Sequence, residues 1–454
     1  MSAFKTTGAR ERAEAGRRLR ERVPRESHAA FEADRTRVDP LALLAQTARP
    51  RLPYLVPLRD ARMLDTPFTY FRGSAVVMAA DLATTPVMGS NVQACGDAHC
   101  LNFGGFASPE RNLLFDVNDF DETLPGPWEW DLKRLVTSVV VAGRDDGLRK
   151  RAIRVAALAT AAAYRTRMRE LAALPALDVW YTRLDATQIL DEAKTLAARK
   201  RRRKIAEQVA TESIHAAVEK LTTGTGFGRR FRDEPPGLFH STDTERSGFD
   251  VEHILETYRR TLVPDFAHLL SRYRLVDHAM KVVGVGSVGT RCAIALFAAD
   301  DHDPLLLQVK EALPSVLEPY LAPSAYPNHG ERVVRGQRLM QAASDAFLGW
   351  ASSGDHDFYV RQFKDMKSSA NLDGVDAGEL LVYARYCAYA LAAAHARSGD
   401  AACIAGYCGT GATLDRALLA FAEEYADVTE RDYARFAEAR ALPDAAAAGG
   451  DAAA

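Results

Sequence analysis

GDAHCLNFGGFASPERNLLFDVNDFD, residues Gly96 to Asp121, is the stretch from which the rest of the chain is read. Asp97 is followed five residues on by Asn102, and a short apolar run, Leu113 to Phe115, leads into the acids Asp116, Asp119 and Asp121. A carboxylate in a loop beside a glycine can take the proton of a hydroxyl nucleophile, which makes Asp97 the candidate base. Asn102 offers a neutral oxygen and a strand-terminal aspartate a charged one. Magnesium needs only one or two such ligands, because phosphate oxygens and water complete its shell. Asp119 is read as the main metal ligand beside Asn102, with Asp116 and Asp121 as alternates. Side chains alternate along a strand, so acids of mixed parity cannot all meet one ion. His99 has a bracing or a catalytic role. Acids next to LLF and VNDF are costly to bury without partners, and the D-x-D-x-D-G spacing of a calcium loop is absent.

A second segment, HAMKVVGVGSVGTRCAIALFAADDHDPLLLQVKEA (His278 to Ala312), reads as three short strands joined by a glycine turn and an acidic turn. GVGSVG, Gly284 to Gly289, fits G-x-G-x-x-G, a weak signal by itself. It has three readings: a hairpin turn over ATP phosphates followed by a lysine-bearing strand, a dinucleotide site whose glycines open a helix, or an ordinary tight turn. RCAIALFAAD runs straight into the turn DDHDP and leaves little room for a crossover helix, which favours the hairpin. Gly284, Gly286, Ser287 and Gly289 then lie over the phosphates, and Lys310, ending the strand LLLQVK, reaches them as a point charge. Such a lysine needs an acidic partner on the next helix, and Glu331 in GERVVRGQRLMQ is the candidate. Glu311 points to the opposite strand face. DFYVRQFKDM supplies an edge strand and an adenine contact around Gln362 to Lys364. GTGFGRR (Gly224 to Arg230) lacks a strand before it and reads as a mobile loop.

The chain has 454 residues, 47% of them hydrophobic, enough for a large core and two or three lobes. With 58 basic against 60 acidic residues, no global field favours nucleic acid or an acidic membrane. The six cysteines form no C-x-x-C pair, which fits a reducing cytoplasm, and Cys95, His99 and Cys100 match no common zinc spacing. The charged N-terminus is no secretory signal, and no run reaches the roughly 18 apolar residues needed to span a bilayer. A cytoplasmic protein with no membrane span is expected. Residues 1 to about 50 read as a partly helical arm, and Pro53 to Asn118, including TPFTYFRGSAVVM, as strand and loop. Trp130 to Leu174, Leu184 to Leu221, Gly378 to Arg397 and Thr413 to Glu438 have helical periodicity. ARKRRRK, Ala198 to Lys204, is a solvated helix face or a patch for an anionic partner. DAAAAGGDAAA at the end reads as disordered.

GDAHCLNF, NDFDE and WEWDLKRL together resemble the aminoglycoside-phosphotransferase branch of the kinase-like superfamily. Its signature is a Gly-Asp-x-His-x-x-Asn loop, a strand ending in Asp-Phe, and a later Asp-Leu at a helix start. The resemblance implies that Asp97 is the base, Asn102 and Asp119 hold the metal, and Asp131 has a structural role at a helix N-terminus, where a carboxylate suits the dipole. Over nearly all of residues 15 to 435 the chain is also similar to the bacterial family called domain of unknown function 2252. The similar segments include RMLDTPFTYFRG, GDAHCLNFG, DVNDFDET, RVVRGQRLMQ, LGW and LAAAHARSGD. In kinase-like enzymes the glycine loop and lysine precede the catalytic loop, whereas here they follow it. A circular permutation reconciles the two orders, since chain termini often lie close together at the surface. The helix YARYCAYALAAAHARSGD is then the one that leads into the catalytic loop in an unpermuted relative.

The expected fold is α+β, protein-kinase-like, two-lobed and circularly permuted, with a helix-rich large lobe and a small antiparallel-sheet lobe. Its parts are a basic arm (1–50), the large lobe with the catalytic and metal loops (51–275), the nucleotide-binding lobe (276–370), helices returning to the large lobe (371–440) and a disordered tail (441–454). The expected activity is ATP- and Mg2+-dependent phosphoryl transfer to a hydroxyl of an unidentified small-molecule or protein acceptor. Nucleotidyl transfer, a non-catalytic pseudokinase-like regulator and an NAD-binding protein are the alternatives.

Overall fold

A computed structural model describes residues 8–31, 37–186, 214–240, 249–282, 284–363, 368–369 and 372–441. It mixes helix and sheet. The strands in chain order are β1 (Asn91–Ala94), β2 (Phe103–Ala107), β3 (Leu113–Val117), β4 (Leu124–Pro127), β5 (Thr222–Thr223), β6 (Arg230–Phe231), β7 (Leu238–Phe239), β8 (Arg274–Lys281), β9 (Cys292–Ala298), β10 (Pro304–Glu311), β11 (Gly349–Ser353), β12 (His356–Gln362) and β13 (Ser368–Ser369).

Six of these form one antiparallel sheet in the order β11-β12-β10-β9-β8-β7. β9 (CAIALFA) is buried at every position, as a central strand covered on both faces must be. Alternation divides its side chains and those of β10 between two cores. Ala293, Ala295, Phe297, Leu305, Leu307 and Val309 pack with Ile254 and Tyr258 of the helix Val251–Tyr258. Ile294, Leu296 and Leu306 face Val218 and Phe231 on the other side. By the same alternation Lys310 lies on the face of Leu306 and Gln308. Its cross-strand neighbours are Cys292 on β9 and Tyr359 on β12. The helix His329–Met340 lies in the connection between β10 and β11.

A second, larger core is helical. It joins Trp128–Asp145, Lys150–Ala172, Ala377–Ser398 and Thr413–Ala441. The expected helix over Trp130 to Leu174 is two helices, broken where Gly147 takes φ +67°. The alanine-rich face of Ala377–Ser398 permits close packing on Lys150–Ala172. The N-terminal arm carries a helix, Ala9–Arg22, docked on Ala401–Cys408 at two glycines. A Cβ on Gly16 would fall 2.0 Å from the Cys403 carbonyl oxygen, and one on Gly406 2.0 Å from that of Ala13.

Two local expectations are corrected. TPFTYFRGSAVVM is not strand but two short helices, Pro67–Gly73 and Ala75–Leu82. The aromatic and β-branched residues suggested strand, but Thr66 caps the first helix, its hydroxyl accepting from Thr69 N at 3.1 Å, and Pro67 opens its first turn. GTGFGRR forms the closure of the β5–β6 hairpin rather than a free loop. The basic run 198–204, Lys364 of the expected adenine contact, and the tail from 442 onward lie outside the described residues. Among the described residues no helix is long and apolar enough to cross a membrane.

Candidate functional site

The Gly96–Asn102 loop is held from below by a buried carboxylate. Asp131, in the first turn of Trp128–Asp145, accepts from the backbone N–H of Cys95 at 2.6 Å and of Gly96 at 2.9 Å. Its Oδ2 lies 3.1 Å from His395 Nε2, and His395 Nδ1 lies 2.8 Å from the Tyr164 hydroxyl. Gly96 turns with φ +81°, and a Cβ there would meet the Glu122 carbonyl oxygen at 2.4 Å, so only glycine fits. The Tyr383 hydroxyl donates to the carbonyls of Cys100 and Phe103 at the end of the loop. Asp131 thus has the structural place its position at a helix start implied.

Asp97 stands at the rim of this loop. Arg134, one turn beyond Asp131, donates Nε to Asp97 Oδ1 at 2.5 Å and Nη2 to the Phe71 carbonyl at 3.0 Å. Burial pushes the Asp97 carboxyl up to about 6 against the pull of Arg134. Burial, with the charges of Arg72 and Arg134, holds His99 well below its usual value, so His99, with Nε2 3.8 Å from Asp97 Oδ2, is a neutral neighbour. Asn102 donates Nδ2 to the Asp97 carbonyl at 2.7 Å, which turns its Oδ1 to the other side of the amide. Asp119 accepts from Asp121 N at 3.3 Å.

Asp121 is where the acidic block meets the sheet. Its Oδ2 accepts from Lys310 Nζ at 2.8 Å and from Ser287 Oγ at 3.1 Å, and its Oδ1 accepts from the Tyr359 hydroxyl at 2.6 Å. Burial would raise the Asp121 carboxyl, but the Lys310 charge and the hydrogen bonds from Lys310 and Tyr359 outweigh it and hold the group below the carboxylate range. Burial opposes the Lys310 ammonium, and Asp121 more than compensates, so its value is raised. Asp121 therefore occupies the place expected for Glu331. Glu331 sits on the expected helix, but in its first turn, where its carboxylate pairs with Arg335 at 3.2 Å. The next residue, Arg332, is the one that turns inward, donating to the carbonyls of Thr123, Asp121 and Leu313. Asp116 faces away, accepting from Val117 N and Ala342 N, which leaves Asp119 and Asp121 as the strand-end acids at the cleft.

One cleft is lined by Asp97, Asn102, Asp119, Asp121 and Glu122 from the acidic block and by Gly286 and Ser287 from the glycine loop. The loop joins the neighbouring antiparallel strands β8 and β9, so it is a hairpin and opens no α-helix. Arg51 clamps it, donating to the carbonyls of Gly286 at 2.9 Å and Val288 at 2.5 Å. Gly289 needs its φ of +89°. Gly284 and Gly286 do not: neither has positive φ, and a Cβ would meet nothing within 4 Å at Gly284 and only the Arg72 carbonyl, at 3.9 Å, at Gly286. The protein's own packing leaves their faces open.

Sequence reading missed the arginines of the cleft, Arg51, Arg59 and Arg72, and it missed Glu122, whose carboxyl burial pushes up to about 7. Arg59 and Arg72 come from short helices, Val56–Met63 and Pro67–Gly73, in a segment read as strand and loop, and Arg51 from the bend before them, so no periodicity marked them as facing one way. Arg134 was legible in principle, one helical turn after Asp131 on the same face.

Oxygen-only donors, Asn102 and Asp119, fit magnesium rather than a softer metal. Among the described residues no group of three or more His, Cys, Asp or Glu side chains is set to enclose a metal ion, so a magnesium ion here would take most of its shell from phosphate and water. The open backbone at Gly284 and Gly286 and the buried ammonium of Lys310 suit a polyphosphate.

No curated protein and no solved structure matches the chain. The profile of a family described as an uncharacterized protein conserved in bacteria, DUF2252, matches residues 51–439. That span takes in the acidic block, the arginine wall, the glycine loop and Lys310, and the chain belongs to the DUF2252 family.

Proposed function

We propose that the protein is an ATP- and Mg2+-dependent phosphotransferase of kinase-like type, with a circularly permuted chain order. The observation that carries this reading is the convergence of Asp97, Asn102, Asp119, Gly286 and Ser287 on one cleft, with Lys310 tied to Asp121 at its wall. The acidic block and the glycine loop are separated by more than 160 residues of sequence. The layout of the sheet supports it too: a glycine hairpin, a lysine strand, a helix and two further strands follow in order. Permutation is supported by a contact between Ala377–Ser398 and β1. Gln93 N donates to Ser398 Oγ at 3.1 Å, and a Cβ on Gly399 would fall 2.6 Å from Val92. The end of that helix thus adjoins the strand that leads into Gly96–Asn102.

Asn102 and Asp119 would hold magnesium, which when bound neutralises phosphate charge and aligns the transferred group. Lys310 and the glycine-loop backbone hold the phosphates of ATP. Arg134 occupies Asp97 Oδ1 and fixes the carboxylate, leaving Oδ2 to accept the proton of the acceptor hydroxyl. The acceptor oxygen bonds to the γ-phosphorus as the bond to the β–γ bridging oxygen breaks, and ADP leaves. Positioning and charge neutralisation supply most of the rate gain in such transfers. The test is Asp97→Asn. Turnover of ATP should fall by about a hundredfold or more, while ATP affinity with magnesium changes little. Loss of ATP binding with an intact fold would remove Asp97 from the role of base.

A further inference from the structure

Arg51, Arg59 and Arg72 line the same cleft as the acidic block, and their donors are unequally used. Arg51 is engaged, giving hydrogen bonds to the carbonyls of Thr47, Gly286 and Val288. Arg59 is 2% exposed and has one hydrogen bond, from Nη2 to the Gly73 carbonyl at 2.8 Å; its Nε is buried without a partner. The carboxylate of Asp60 stands 4.0 Å from Arg59 Nη1, too far for a hydrogen bond. Arg72 has neither hydrogen bond nor ion pair among the described residues, and its Nε is also buried and unsatisfied. Buried guanidinium donors without acceptors are costly. Burial, then the nearby charge of Arg51, pushes Arg59 down to about 9.

A guanidinium fork matches a phosphate in shape and charge. The phosphates of a nucleotide already have Lys310 and the glycine loop. Arg72 lies on the side of Asp97, where the acceptor hydroxyl must be. We propose that Arg59 and Arg72, with Arg51 beside them, seat the phosphate of a small acceptor that carries both a hydroxyl and a phosphomonoester. The word acceptor rests on the phosphotransfer reading; the anion seat does not.

The experiment is a thermal-shift titration of the full chain with glycerol 3-phosphate, and with glycerol as control, with and without saturating magnesium and a non-hydrolysable ATP analogue. Glycerol 3-phosphate alone is expected to stabilise the protein, and to do so equally with the analogue bound. Arg72→Gln should weaken that binding by about tenfold or more, as loss of a charge-assisted pair implies, and still bind the analogue. Arg59→Gln, checked for fold by circular dichroism, is the second variant. Stabilisation that disappears once the analogue is bound would assign the arginines to the nucleotide and overturn the proposal. Absence of stabilisation at tens of millimolar, or an unchanged response in both variants, would overturn it as well. Binding of glycerol 3-phosphate without any binding of the analogue supports the seat and removes the phosphotransfer reading.

Discussion

The ion pair between Lys310 and Asp121 is the most consequential link between the sheet and the acidic block, and its energetics can be measured. At 2.8 Å the direct attraction is about 6 kcal/mol at an effective dielectric near 20. Lys310 is buried, whereas the Asp121 side chain retains 28% exposure, so solvent screening reduces the net coupling to about 2–4 kcal/mol. The two single substitutions should be unequal. Asp121→Asn leaves a buried ammonium without its carboxylate and should cost about 3–5 kcal/mol. Lys310→Met leaves Asp121 with the hydroxyls of Tyr359 and Ser287 and some solvent, and should cost about 1–3 kcal/mol. The double variant should cost clearly less than the sum of the two. Urea unfolding of all four proteins at neutral pH gives the cycle. The pH dependence follows from the directions of the shifts. Asp121 is lowered, so its contribution is complete above its unfolded value of about 4 and is lost as the pH falls below that. Lys310 is raised, so its contribution is complete below its unfolded value of about 10.4 and is lost as the pH climbs beyond. The coupling should therefore be flat between about pH 5 and 10. A coupling under about 0.5 kcal/mol, or Lys310→Met costing more than Asp121→Asn, would mean that the pair is not buried and specific in this way.

The remaining predictions concern the two loops. Asp97 must be ionised to accept a proton, and burial raises its carboxyl to about 6, so turnover measured against pH should fall below about 6, by close to tenfold per unit; a limb near 4 would point to an unperturbed group. In the glycine loop, Gly286→Ala should leave the urea midpoint nearly unchanged, because the nearest atom to its Cβ is 3.9 Å away, yet weaken ATP affinity. Gly289→Ala, at φ +89°, should instead cost about 1 kcal/mol or more of stability. Equal effects of the two on unfolding would remove the distinction between a glycine the fold needs and one it does not.

Motifs whose chemistry requires fixed spacing were legible. Asp97 and Asn102 are five residues apart in one turn, and the glycine loop is recognisable because a strand follows it at once. Strand parity gave the face of Lys310 and separated Glu311 from it, and Glu311 is indeed turned away to Arg291. The partner of that lysine was not legible, since Asp121 is 189 residues distant and only the docking of the loop after β3 against Lys310, Ser287 and Tyr359 brings it near. Expecting the partner on the following helix selected Glu331, where the first helical turn points outward to Arg335. The arginine wall stayed hidden for a different reason. Aromatic and β-branched residues in TPFTYFRGSAVVM favour strand, but a capping threonine and Pro67 overrode that preference, and Arg72 was displaced with the misread element.

Ligand-dependent stability decides between the ATP and NAD readings. Melting temperatures of the wild-type chain should rise with ATP plus magnesium, and less with ATP alone. At a hundredfold excess over Kd the gain is about 2.7 kcal/mol. Lys310→Met and Asp119→Asn should each reduce it, and NAD should give none. Stabilisation by NAD, or by neither nucleotide with or without magnesium, would contradict the reading of a cleft lined by Asp97, Asn102 and Asp119, with Lys310 paired to Asp121, as a site of phosphoryl transfer.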